Sequence, residues 1–435
     1  MVRRMDLAVP APLAIAPDLA ALARDLFETL RAADHDGVGI TRETYAAGET
    51  RAMRRIEAIA REAGLACAWD AAANLRVTLE GTDPALPAAA CGSHLDSVPQ
   101  GGNFDGAAGV IAGLIALLHA ARGPRPARSL HLFVLRGEES AWYGRPYLGS
   151  SALFGQFDPA WLDLPNLHDP SLTLGAAMRR EGADVDAVAA RRVLCDPATL
   201  SHFVELHIEQ APVLVARRVP VGLVSGIRGN QRHPNGRAVG EAAHSGAVPR
   251  WLRRDAVLGA ADFAMRLDAS WRTLLERGED LVMTFGIFTT DPREHAMTRV
   301  PGDLRFTLEW RSESEATLDA FGALAQAEAE EIARERGVRI ALGPGVRTPP
   351  AAMDKRLLAH ARAICTAAGL SHEVLASGAG HDAAIFSNVG VPTAMVFVRN
   401  EHGSHNPREA MEFDDFLHGA ALLREVLLTG ADALR

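Results

Sequence analysis

Lysine is almost missing from this chain. Lys355 is the only one, and arginine supplies the rest of the positive charge. With the abundant alanine, this reads as the coding bias of a GC-rich genome, not as a functional device. Cysteine is scarce as well: Cys67, Cys91, Cys195 and Cys365 lie far apart and form no C-x-x-C pair. That argues against a zinc–thiolate site and a disulfide framework, and it fits a reducing compartment, with cytoplasmic location the expectation. No apolar run is long enough to span a bilayer; Val110–Ala121 is too short and too interrupted. Met1–Pro17 lacks an apolar core followed by a cleavage site and is broken by Pro10, Pro12 and Pro17. It reads as a short irregular lead-in and not a signal peptide. An excess of positive charge is missing too. The net charge of −9 argues against nucleic acid and anionic membrane as partners.

What is present is ordinary globular material with an alternating pattern. A chain of 435 residues exceeds the size at which one core keeps growing, so two domains are expected. Helical spacing of apolar residues runs over Asp18–Ala33 and Glu49–Ala63. Strands are predicted at Leu75–Leu79, Ala88–Gly92, Ser129–Leu135 and Phe203–His207, with an apolar helix over Ala107–Ala121. This is an α/β layer with a mainly parallel, mixed sheet flanked by helices. The pattern then changes. Strands at Val219–Val224, Gly236–Val239, Leu281–Ile287 and Asp303–Trp310 accompany helices at Arg254–Met265 and Ser314–Arg336, a compact α+β unit. After Pro349-Pro350 the α/β character returns with Lys355–Ala368, Thr393–Val398 and Phe413–Thr429. The simplest organisation is one domain from residues 1–218 and 346–435, interrupted by an inserted domain at 219–345.

Reactive residues in such sheets gather beyond the carboxyl ends of strands. Cys91-Gly92-Ser93-His94-Leu95-Asp96-Ser97 ends one predicted strand, and Gly101-Gly102-Asn103-Phe104-Asp105-Gly106 follows it. The glycines let the backbone fold back and bring His94 and Asp105 to one point. Asp96 can hydrogen-bond the His94 ring nitrogen that faces away from a metal. Glu138-Glu139 follows the apolar run Leu130–Leu135. His207 sits in Glu205-Leu206-His207-Ile208-Glu209-Gln210, and His405 in Gly403-Ser404-His405-Asn406-Pro407 beyond Ala394–Val398. A lone histidine or a Glu-Glu pair is usually surface decoration. Four strand-end sites of ligand type in one chain make chance a poor explanation. Mixed histidine and carboxylate ligands suit Zn²⁺, Mn²⁺, Co²⁺ or Ni²⁺ and do not separate them. A carboxylate such as Asp105 can bridge two cations, and Glu138, beside a ligand yet not needed as one, is placed to act as general base.

With these motifs in order, the chain resembles the M20 metallopeptidase superfamily. More closely it resembles the hydantoinase/carbamoylase amidases, which include N-carbamoyl-L-amino acid hydrolases, β-ureidopropionases and allantoate amidohydrolases. The resemblance runs from about Gly92 to the C-terminal helix. Its more specific blocks are Glu205 to Gln210 and Gly378-Ala379-Gly380-His381-Asp382-Ala383. The resemblance implies two divalent ions per subunit. His94, Asp105 and His207 would hold one; Asp105, Glu139 and His405 would hold the other. It implies Glu138 as base and Asp96 as the orienting partner of His94. The inserted segment would be a lid and homodimerisation domain, whose His244 would reach the active site of the partner subunit and stabilise the oxyanion, and whose Arg311 would bind the substrate carboxylate by a bidentate pair. Gln210, Thr298 and the backbone at Gly380 would complete the pocket for a small ureido or acyl amino acid.

Four positions depart from the family pattern. Thr298 stands where asparagine is common, Trp142 where the Glu pair is usually followed by a Gly-Ser-Arg run, Ala211 in place of glycine, and Arg250 in place of methionine. Trp142 and Arg250 are either neutral drift or the mark of an unusual or larger acidic substrate. The function implied is hydrolysis of a linear ureido C–N bond, foremost that of an N-carbamoyl L-amino acid, with ammonia and carbon dioxide released. The alternatives are an allantoate amidohydrolase, an aminoacylase or dipeptidase, and a catalytically silent binding homologue. A serine hydrolase is disfavoured, because Gly92-Ser93-His94 is not a G-x-S-x-G elbow.

Overall fold

A computed structural model describes residues 13–434. Most of the N-terminal lead-in, residues 1–12, lies outside the described residues. Contacts divide the chain into two compact units, one ending at Ser225 and resuming at Ala352, the other Gly226–Ala351. The division falls later than 219 and 345, because the strand that follows residue 219 continues the large sheet instead of starting the insertion.

The first unit is built on β1 (Ala66–Trp69), β2 (Leu75–Leu79), β3 (Ala88–His94), β4 (Leu130–Leu135), β5 (Leu200–Ile208) and β6 (Val221–Ile227). The second contains β7 (Gly229–Val239), β8 (Ala243–His244), β9 (Val282–Thr284), β10 (Phe288–Thr289), β11 (Arg299–Val300), β12 (Asp303–Ser312), β13 (Arg339–Ala341) and β14 (Val346–Thr348). The chain then adds β15 (Ala351–Ala352), β16 (His372–Ser377), β17 (Thr393–Val398), β18 (Asn400–Glu401) and β19 (Ala410–Met411).

The large sheet runs β1-β2-β4-β3-β5-β17-β6-β15, with β16 paired to β6. Its centre is parallel: β3 pairs in parallel with β4 and β5, and β5 with β17. The flanks, β2 on β4 and β6 on β17, are antiparallel. Register brings the reactive ends level, with His94 opposite Leu135 and Ile208 opposite Val398. Strands β3 and β17 are buried along their whole length, as parallel strands covered on both faces must be. The helix Ala107–Ala121 is apolar nearly all round and buried on nearly every face, packed with Phe413–Ala433 in the main core. A helix that is hydrophobic all round belongs inside a protein, and this one anchors the loop that precedes it.

In the second unit a sheet in the order β10-β12-β7-β13, with β9 and β14 added, packs against the helices Ala256–Glu276 and Glu315–Arg336. Strand β12 alternates strictly: Leu304, Phe306, Leu308, Trp310 and Ser312 are buried, and the residues between face outward. The sequence reading expected fewer strands here, because two-residue strands carry no readable period. It also ended the first helix too early; Asp255 caps it and it continues to Glu276. Among the described residues no helix is long and apolar enough to cross a membrane.

Candidate metal centre

Each strand end delivers one part of the site. His94 is the last residue of β3, and its Nδ1 lies 3.1 Å from the Asp96 carbonyl and 3.3 Å from Asp96 Oδ1. Nδ1 therefore donates, and Nε2 keeps its lone pair for a ligand. Nε2 points at Asp105 Oδ1, 3.5 Å away. His207, near the end of β5, is held in the same way. Its Nδ1 donates to the Ile208 carbonyl at 2.9 Å, and its Nε2 lies 3.1 Å from Asp105 Oδ1. The other Asp105 oxygen faces His405: His405 Nε2 is 3.5 Å from Oδ2 and 3.3 Å from Glu139 Oε1. Asp105 thus turns one oxygen to each of two three-residue clusters, His94–Asp105–His207 and Asp105–Glu139–His405, with ligand atoms within 4.8 Å of one another in each.

The backbone is shaped for this convergence. Gly106 has φ +63, and a Cβ there would lie 2.5 Å from the His94 ring. Only glycine can make the turn from Asp105 into the helix at that distance. Beyond β4, the buried Arg136 forms a 2.7 Å salt bridge to Glu49 and donates to the Ala73 carbonyl, which fixes the turn leading to Glu138-Glu139. Asp96 then ties this turn to His94. Its Oδ1 accepts from the Glu138 N–H and its Oδ2 from the Glu139 N–H, each at 3.2 Å, and Oδ2 also accepts from Thr44 Oγ1 at 2.5 Å.

The electrostatics suit a cation. Asp96, Asp105, Glu138 and Glu139 are all buried, and the ion partners of these groups are histidines. Burial pushes the Glu138 carboxyl well above the usual range, helped by Glu139 and opposed by His94. Glu138 Oε2 sits 3.8 Å from His94 Nε2. Burial alone would raise Asp105, but His207, His405 and His94 hold it well below the ordinary carboxylate range. Burial disfavours a proton on His94, yet Asp105, Asp96 and Glu138 outweigh it and raise its pKa. The donor set, imidazole Nε2 and carboxylate oxygen, fits a divalent ion such as zinc or manganese.

The remaining predicted residues fall in two places. Gln210, with φ +60, donates Nε2 to Asp105 Oδ2 at 2.7 Å, while its Oε1 is buried without a partner. Its amide nitrogen is thus bound to the Asp105 carboxylate itself. Gly380 is exposed, and a Cβ there would run into the Tyr147 hydroxyl. His244, Thr298 and Arg311 belong to the second unit. Strands β8 and β11 pair with His244 opposite Arg299, and the Ser245 N–H donates to the Thr298 carbonyl, so His244 and Thr298 are neighbours. His244 Nδ1 accepts from the Gly246 and Ala247 N–H groups, both at 3.2 Å, which puts the ring proton on the exposed Nε2. Arg311, on β12, is engaged by Glu309.

Trp142 is a core residue. It is buried, donates Nε1 to the Ser97 carbonyl at 2.8 Å and packs edge-on against His168. Arg250 is exposed in the second unit. Sequence reasoning assigned no role to Glu205, although a carboxylate inside the apolar run of β5 was a visible signal. It is fully buried, accepting from Ser93 Oγ and the Ala383 N–H at 2.8 Å each, and so it links β3, β5 and the Gly378–Ala383 block. Thr44, Ser404 and Glu409 were also missed, and they sit in loops with no period to betray them.

Residues 90–429 match the model of peptidase family M20/M25/M40. The chain belongs to that family. It is 33% identical over 389 residues to an N-carbamoyl-L-amino acid amidohydrolase of Geobacillus stearothermophilus, covering 88% of this chain and 92% of the relative. It is 31% identical to an allantoate amidohydrolase of Escherichia coli, with 89% and 92% covered. Its fold is similar to a hydantoinase/carbamoylase family amidase from Burkholderia ambifaria, with a TM-score of 0.82 and 28% identity over 96% of this chain and 97% of that one.

Proposed function

We propose that this M20-family chain is a metal-dependent hydrolase of non-peptide linear amide C–N bonds. Its foremost substrate in this reading is an N-carbamoyl L-amino acid or a related ureido acid. The observation that carries the reading is Asp105, one oxygen toward His94 and His207, the other toward His405 and Glu139, with Glu138 beside His94. His94, Asp105 and His207 would hold one divalent ion, and Asp105, Glu139 and His405 a second. Such ions supply a Lewis acid and lower the pKa of water.

Glu138 takes the proton from the attacking water as its oxygen bonds to the ureido carbonyl carbon. The raised carboxyl pKa suits a group that must accept a proton and then give it back. The C–N bond breaks as Glu138 returns the proton to the leaving nitrogen. One water and one N-carbamoyl amino acid give the amino acid, ammonia and carbon dioxide. In this reading His244 serves the centre of a partner subunit, where its Nε2 proton is the donor for the oxyanion, and Arg311 binds the substrate carboxylate. The second unit is the lid and the surface through which the chain forms a homodimer. Asp96 sets the orientation of His94 and of the Glu138-Glu139 backbone together.

The test is a screen for ammonia release. Purified protein, loaded in turn with Zn²⁺, Mn²⁺, Co²⁺ or Ni²⁺, is offered N-carbamoyl L-amino acids, allantoate and N-acyl amino acids. Ammonia from the carbamoyl compounds is expected. Amino acid released from N-acyl substrates without ammonia would identify an aminoacylase instead. No turnover with any metal would leave a binding homologue.

A further inference from the structure

Glu409 is a buried carboxylate that the hydrolytic scheme does not use. It lies at the return of the hairpin made by β18 and β19, whose loop carries His405. Its Oε1 accepts from the Phe104 N–H at 2.8 Å and from the Asp105 N–H at 3.3 Å. Its Oε2 lies 2.8 Å from Ser404 Oγ, and the Ser404 hydroxyl also reaches Asp105 Oδ2. Each of these partners is Asp105, its neighbour, or the residue before His405. The two loops, about three hundred residues apart in sequence, meet through this one side chain. Gly102 records the closeness of the fit, since a Cβ there would lie 2.1 Å from the Glu409 carboxyl.

We infer that Glu409, acting through Ser404, is the positioning residue that holds the Asp105 and His405 loops together and so sets the affinity of the His405-side cluster for its ion. This rests on the metal-centre reading proposed above. The two clusters differ in how they are braced. His94 and His207 sit at strand ends, each with Nδ1 tied to a carbonyl. His405 sits in a loop at φ +60, with its side chain 52% exposed. The brace that loop has toward Asp105 runs through Ser404 and Glu409. Outer partners of metal ligands commonly set affinity by such bonds. Glutamine at position 409 could keep the arrangement. Its carbonyl oxygen would accept from Phe104 and Asp105, and its amide would donate to Ser404 Oγ, which leaves the Ser404 proton for Asp105 Oδ2.

The experiment is calorimetric titration of the metal-stripped full chain with Zn²⁺, backed by Co²⁺ absorption spectra of the loaded protein. Wild type, Glu409→Gln, Glu409→Ala and Ser404→Ala are compared, with the thermal midpoint of each metal-free protein recorded. The expected result is two ions in wild type and in Glu409→Gln. In Glu409→Ala and Ser404→Ala one ion weakens by roughly 10–100-fold and the other by less than about threefold. Should Glu409→Ala bind both ions as wild type does, the positioning role is overturned. It is equally overturned if both ions weaken alike while the metal-free midpoint falls, since that is a general structural role. Ser404→Ala, a smaller change, decides the matter if Glu409→Ala does not fold. A wild type that binds no divalent ion overturns the metal-centre reading itself, an outcome distinct from the others.

Discussion

Asp96→Asn should weaken the centre without emptying it. The Asp96 carboxylate does two jobs at once: Oδ1 faces His94 Nδ1 and the Glu138 N–H, and Oδ2 takes the Glu139 N–H and the Thr44 hydroxyl. Asparagine has one acceptor oxygen. If that oxygen serves Glu139 and Thr44, the amide NH₂ is turned against the Glu138 N–H and His94 Nδ1. The amide then favours the tautomer with the proton on Nε2, where a ligand needs the lone pair. One compensation remains, because the Asp96 carbonyl lies 3.1 Å from Nδ1 and can still receive its proton. The loss is therefore that of an outer partner, about 10–100-fold in metal affinity, or roughly 1.4–2.8 kcal/mol. Metal titration of the stripped protein measures it, and turnover at saturating metal should recover most of the rate. Wild-type affinity in Asp96→Asn would refute the claim that this carboxylate sets the His94 tautomer.

Glu138→Gln separates base from ligand. It should bind metal as wild type does and lose about 10²–10⁴-fold in kcat for ammonia release; a wild-type-like rate would sink the base assignment. Trp142→Phe tests the departure beside the Glu pair. Losing the Nε1 bond to Ser97 should cost about 1 kcal/mol of stability in urea unfolding and leave the ranking of substrates unchanged; a changed ranking would place the residue in the pocket. His202 gives a pH signature away from the centre. Burial pushes its pKa from 6.5 down to about 4, with Nε2 3.2 Å from the Val426 carbonyl. Between those values the unfolded chain binds more protons, so this contribution to stability is full above pH 6.5 and is lost as pH falls toward 4. The shift corresponds to up to about 3 kcal/mol. Denaturation of wild type and His202→Gln from pH 7 to 4 should show wild type losing its advantage over that window, and parallel curves would refute it.

The strand-end candidates for metal ligation were legible because two signals coincide there. An apolar run long enough for a buried strand stops, and a histidine or carboxylate stands at or just past its end, as in β3, β4 and β5, while His405 follows β17 only after the short strand β18; register sets the strand ends level. What was not legible lies in contacts between loops. Nothing in the local pattern joins Glu409 to Phe104, or Thr44 to Asp96, since these pairings depend on sheet order and not on spacing. The small strands of the second unit escaped for a related reason, because two residues cannot display a period of two.

The same distinction bears on the four departures from the family pattern. Trp142 could be neutral drift or the mark of an unusual substrate by its place after the Glu pair; its ring is buried and its indole N–H is bonded to Ser97, one residue past Asp96. It therefore supports the loop that orients His94, and what a substrate would feel of it is indirect. Gln210 moved the other way. Expected to contact the substrate, it donates to Asp105 Oδ2 and leaves Oε1 buried without a partner among the described residues. A buried acceptor left unpaired is costly, and a substrate N–H or a water that satisfies it would be held firmly. If a ureido NH₂ group is that donor, carbamoyl substrates should lose more in Gln210→Ala than N-acyl analogues, which lack the NH₂ group. Comparing kcat/KM for carbamoyl and acyl pairs in Gln210→Ala and Trp142→Phe measures this: the carbamoyl preference should shrink in the first and persist in the second. Equal preference in wild type and Gln210→Ala would show that the orphan oxygen does not select the substrate.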